Sequence, residues 1–163
     1  MKNLFKKLKI ILISILSITV LVFGGACVGE ESNDTVKIQE FYDTVVKTQE
    51  CLDQVADDIY SYWYDAIYKD KYLGNINYAI AAAMDDNEVN LDLIKTNDSL
   101  INDLYKEVRD TDLSNEIKEV MSAYSDYYEF VVNVSGSFNS FSAKKEDFKK
   151  ELASALKRLS LEI

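Results

Sequence analysis

The chain has 163 residues, room for one modest domain, and contains neither proline nor histidine. The strongest helix breaker is therefore missing, as are the usual general base and the commonest metal ligand. The first 26 residues hold four lysines and no acid, so the other residues carry 14 basic against 28 acidic side chains, a formal balance of −14 that excludes nucleic acid and anionic lipid surfaces as natural direct partners.

Residues 1–26 read as an address. Lys2, Lys6, Lys7 and Lys9 precede an uncharged run from Ile10 to Phe23, and the small residues Gly24, Gly25 and Ala26 follow. That order is the layout of a secretory signal peptide. The apolar run of about 14 residues is shorter than the ~20 that a membrane-crossing helix needs, although extending it to Val28 keeps an uncleaved helix open. Cys27 comes directly after the small residues, where a thiol can receive a diacylglycerol thioether. Gly24-Gly25-Ala26-Cys27 resembles the lipobox of bacterial lipoproteins, with Gly24 standing where that motif usually has Leu. The expectation is lipidation at Cys27, with palmitate-type acyl chains anchoring the protein to the extracytoplasmic face of the cell membrane. Gly24 and Ala26 also suit the ordinary signal peptidase, so a secreted product is the alternative. Residues 27–33 then form the lipidated cysteine and its polar tether. Cys51, the only other cysteine, is expected to be an unpaired thiol within a helix.

The helical domain spans residues 34–163. Ile38, Tyr42, Val45, Gln49, Leu52, Ala56, Ile59, Trp63 and Ala66 alternate spacings of 4 and 3, which predicts a first helix from about Asp34 to Lys69 with one seam turned to a partner. Gly74, suited to a left-handed helix cap, ends the connection. A second seam runs through Ile76, Ile80, Ala83, Asn87, Asn90, Ile94, Asn97, Ile101, Leu104 and Val108, with three asparagines weakening its middle. Asp110-Thr111-Asp112 closes this hairpin and offers caps for the next helix.

The third seam runs from Leu113 to Leu159 through Ile117, Val120, Tyr124, Tyr127, Val131, Val134, Phe138, Phe141, Lys145, Phe148, Leu152 and Ala155. Its rhythm passes unbroken through Ser135-Gly136-Ser137, where composition argues for a break. The expectation is an all-α, antiparallel bundle of three long coiled-coil-like helices, the third bent near Gly136. The alternative is a four-helix bundle with the C-terminal segment folded back. In the first case Phe148, Leu152, Ala155 and Leu159 overhang the hairpin and invite self-association.

Tyr62-Trp63-Tyr64-Asp65-Ala66-Ile67 and Ser135-Gly136-Ser137-Phe138-Asn139-Ser140-Phe141-Ser142 carry a family likeness. Over about Ile38 to Leu159 the chain resembles an uncharacterised family of helical proteins from Gram-positive, Firmicutes-type bacteria, many of them predicted lipoproteins. Relatives often place Pro before the Ser-Gly-Ser triplet, where this chain has Val134. The likeness implies a helical fold and an extracytoplasmic location, and it transfers no catalytic residue.

Tyr60, Tyr62, Trp63, Tyr64, Tyr68, Tyr72 and Tyr78 crowd the turn between the first two helices. Trp63, Tyr60 and Tyr62 belong to the core or its margin, whereas Tyr64, Tyr68, Tyr72 and Tyr78 are the candidate contact for a partner. Asp57-Asp58 and Asp85-Asp86-Asn87-Glu88 lack the spacing and glycine turn of a calcium loop and read as a solvated face, so no metal site is expected. No histidine serves a triad and no Gly-rich loop cradles a phosphate. The expectation is a non-enzymatic, cofactor-free binding or adaptor module at the cell surface. The alternatives are a self-associating structural protein and a cell-wall glycan-binding module.

Overall fold

A computed structural model describes residues 33–163; the signal peptide, Cys27 and the tether up to Ser32 lie outside the described residues. The described residues are all-helical: α1 (Asn33–Tyr68), a short 3-10 turn (Lys71–Gly74), α2 (Ile76–Asp86), α3 (Glu88–Val108), α4 (Ser114–Val132) and α5 (Phe138–Leu159). No strand occurs among them.

α1 realises the first seam. Ile38, Val45, Leu52, Ala56, Ile59, Trp63 and Ala66 are all buried, and Phe41 and Val55 widen the stripe to the breadth that contact with several helices demands. The second seam folds back antiparallel along α1, and three side-chain pairs record the register. Lys37 meets Glu107 at 3.0 Å, Asn97 Nδ2 donates to Thr48 Oγ1 at 3.0 Å, and Asn87 Nδ2 donates to Asp58 Oδ2 at 2.9 Å. The seam asparagines are thus satisfied: Asn87 also donates to the Ala83 carbonyl and accepts from Asn90. Asn87 is also where the second element, expected as one helix, divides into α2 and α3. Its backbone leaves helical geometry (φ −106°, ψ 17°) at the point where its side chain joins α1.

The expected third helix is two helices. α4 ends at Val132, residues 133–137 turn, and α5 returns antiparallel, so that Phe130 stacks on Phe141 (4.7 Å) and Arg158 pairs with Glu119 (2.8 Å). One long helix bent near Gly136 is therefore the wrong reading of the rhythm. Gly136 takes φ +91°, and Ser137 caps α5 through a reciprocal box with Ser140. A 4-3 rhythm records which residues are buried within each helix, and a five-residue turn happens to restore its phase. Leu152, Ala155 and Leu159 are consequently buried within their own chain, leaving no overhanging apolar stripe for a second copy.

α5 also lies antiparallel to α1, held by a polar seam. Lys145 is only 8% exposed; its ammonium meets Asp57, sits 3.2 Å from Glu146 and lies over the Tyr60 ring. Burial works against its charge, and the bonds to Asp57 and Glu146 outweigh that and hold its pKa above the ordinary lysine value. Lys149 reaches Asp53 at 3.0 Å, and Asp53 also accepts from the Tyr127 hydroxyl at 2.8 Å. The acids of α1 expected to form a solvated face instead join it to α2, α4 and α5.

Candidate functional site

The end of the bundle holding the α1–α2 and α4–α5 connections departs furthest from ideal geometry. After α1 the backbone is left-handed at Asp70, Tyr72, Leu73 and Gly74 (φ 52°, 56°, 56° and 64°). Only Gly74 adopts this freely; for the other three it costs roughly 1–2 kcal/mol each. Two contacts hold the turn. Asp65 takes Lys69 at 2.7 Å and Lys71 at 2.6 Å, and those two bonds keep its carboxyl below the usual carboxylate pKa. The Tyr72 ring stacks on Tyr62 at 5.2 Å. The turn presents Leu73 94% exposed, a position that apolar side chains seldom occupy without use.

The four candidate tyrosines share this end but form two groups. Tyr64 and Tyr68 stand one helical turn apart, 4.7 Å between ring centroids, and both lean on Phe138 at the start of α5. Tyr72 and Tyr78 form an edge contact at 6.2 Å beside Tyr62, whose hydroxyl donates to Asp86. Tyr68 and Tyr78 are well exposed, Tyr64 less so, and Tyr72 is half-buried. Tyr60 and Tyr62 sit half-buried at the margin and Trp63 is in the core.

Between the two connections lies an open cleft of about 840 Å³. Trp63 and Ile67 of α1, Leu73 to Asn77, Ile80 of α2, and Val134 to Phe138 form its walls. None of these residues is charged, in a chain whose formal charge is −10. Asn75 and Ser137, the N-caps of α2 and α5, both line it, so two helices begin at its rim. Asn75 Oδ1 accepts from the Tyr78 amide at 3.1 Å, and Ser137 Oγ accepts from the Ser140 amide at 3.3 Å. Trp63 is 3% exposed, packed 5.6 Å from Phe141 and 6.0 Å from Phe138. Its indole N–H has no hydrogen-bond partner, and it is the one buried side-chain nitrogen or oxygen among the described residues of which that is true.

Sequence reasoning placed Trp63 in the core and found the tyrosines, but it missed the cleft. Reading residues 134–138 as part of a continuous helix kept them away from residues 73–80. Ser137-x-x-Ser140 after Gly136 was the available signal, because that spacing is a capping pattern. Cys51 is a half-buried free thiol whose pKa is pushed up by burial and by Glu50, which makes it a poor nucleophile. Among the described residues no cluster of three or more metal-ligating side chains occurs, and no helix is long and apolar enough to cross a membrane. Comparison with protein-family models, curated proteins and solved structures finds nothing that matches this chain.

Proposed function

We propose that this is a lipid-anchored extracytoplasmic protein whose helical bundle is a non-enzymatic binding module for another protein, engaged at the end that carries Tyr64, Tyr68, Tyr72 and Tyr78. The observation that carries the reading is the distribution of exposed apolar side chains. Of the twelve large ones exposed among the described residues, six fall within one fifteen-residue stretch: Tyr64, Ile67, Tyr68, Leu73, Ile76 and Tyr78. Scattered single apolar residues are ordinary on a protein surface, whereas a concentration around a cleft marks a place of contact.

Anchorage supplies the orientation. Acylation of Cys27 ties the chain to the membrane a few residues before α1 begins at Asn33. A helix of 36 residues then carries its far end about 54 Å from its start. The tyrosine end is accordingly the part of the bundle able to meet something beyond the membrane surface. The arrangement is best read as a four-layer antiparallel bundle in which α2 and α3 together make one interrupted layer. The likeness to helical lipoproteins of Firmicutes-type bacteria supports the same location.

A double variant tests the binding face. Tyr64→Ser with Tyr68→Ser should reduce capture of the partner from an extract of the source cells at least tenfold while the far-UV circular dichroism stays helical. Undiminished capture by the folded double variant refutes the assignment.

A further inference from the structure

The cleft beside the tyrosines has a chemistry of its own, set by which hydrogen-bonding groups lack partners. The first amides of a helix have no intrahelical acceptor. At α2 the cap residue Asn75 takes the amides of Tyr78 and Ala79, and at α5 Ser137 takes those of Ser140 and Phe141. The amides of Ile76, Asn77 and Phe138 are left over, and all three residues line the cleft. Two helix N-termini also place partial positive charge there. The independent sign of a missing ligand is Trp63, a cleft wall in the core whose indole N–H is unpartnered. A buried donor without an acceptor is costly, and an indole can only donate.

Every unpartnered group identified here is therefore a donor. The surrounding surface is apolar (Ile67, Ile76 and Ile80), and the rim is uncharged. What such a place accepts is an anion spread over two oxygens and attached to an apolar body. Phosphate and sulfate fit poorly, since a cleft without a cation cannot offset their desolvation. A neutral sugar leaves the helix N-termini without a charge to stabilise. The side-chain amides and hydroxyls of Asn77 and Ser135 offer both donors and acceptors, as a peptide backbone requires.

We propose that the cleft captures the carboxyl-terminal end of a partner polypeptide. The terminal carboxylate accepts from the amides of Ile76, Asn77 and Phe138 and from Trp63 Nε1, and an apolar last side chain packs between Ile67 and Ile80. Backbone donors are a known way of holding a chain terminus. The inference rests on the protein-binding reading above and names what the partner presents to it.

Trp63 is the sole tryptophan, so its indole N–H gives a single, unambiguous resonance in a nitrogen-15 correlation spectrum of the full chain. The probe is a pool of N-acetylated tetrapeptides, randomised at three positions and ending in Val, Leu or Ile with a free carboxylate. Saturable shifts of the Trp63 indole and of the Ile76, Asn77 and Phe138 amides, with Asp103 unmoved, are expected. The same pool with amidated ends should bind at least tenfold more weakly. Equal shifts from the amidated pool, or none at millimolar peptide, overturn the proposal, as does binding of octanoate where the peptides fail. Trp63→Phe keeps the ring and removes the donor, and it should weaken the free-carboxylate pool severalfold, read from the three amides. The binding-face reading fails separately. A partner still crosslinked at Tyr68 after loss of its own carboxyl-terminal residues would retain that reading and remove this one.

Discussion

Tyr124 and Tyr127 each carry a hydroxyl into the core of α4, and each finds a carboxylate on a neighbouring helix. Tyr124 donates to Asp98 of α3 at 3.0 Å and Tyr127 to Asp53 of α1 at 2.8 Å. Burial, followed by those carboxylates, pushes both phenols well above their ordinary value of 10.0. Tyr62 is raised chiefly by its bond to Asp86 and then by burial. Each phenol holds its proton more tightly in the folded chain than in the unfolded one. Their contribution to stability is therefore full below about pH 10 and falls as the pH rises beyond it. A series of urea midpoints from pH 8 to 11.5 should show a decline that begins near pH 10. Tyr124→Phe with Tyr127→Phe should flatten it. A decline of the same steepness in that variant would deny the two hydroxyls their role. Nothing in the sequence announced these bonds, because tyrosine on an apolar seam reads as bulk, and its acceptor lies 26 or 74 residues away.

At the scale of elements, periodicity was legible and connectivity was not. The α1 seam and the second seam are buried very nearly as their spacing implies, since burial on one helix face is a local consequence of sequence. Whether residues 113–159 form one helix or two depends on a single turn, where the local cost of Gly136 and the continuing rhythm gave opposite answers. The turn wins because folding back buries Phe141, Leu152, Ala155 and Leu159, which one long helix would leave in water. Spin labels at Glu119 and Arg158 distinguish the two arrangements. Lying 39 residues apart, they would be separated by about 58 Å along one helix, whereas the hairpin places their side chains in contact. A dipolar distance below about 25 Å is expected, and one beyond about 45 Å would restore the long helix. The cleft was illegible for the same reason, being built from two connections that meet only once α5 returns.

For the whole molecule, one end of the chain carries the address and the far end of α1 carries the uncharged cleft, with an acidic bundle between. The net negative charge disfavours adhesion to anionic lipid, which leaves the proposed acyl group on Cys27 as the means of attachment. Cys27→Ser should move the protein from the membrane fraction into the medium and abolish palmitate incorporation. Retention in the membrane fraction by that variant would instead favour an uncleaved N-terminal helix. The binding face follows from this polarity, because the Tyr64–Tyr78 stretch lies at the opposite end of α1 from the anchor.

Photo-crosslinking in intact cells tests the central claim most directly, with one probe replacing Tyr68 and another replacing Asp103, an exposed position on α3. The account predicts a discrete adduct with a second protein from position 68 and none from position 103. Adducts of equal yield from both positions, or none from either, would contradict a binding face at the tyrosine end.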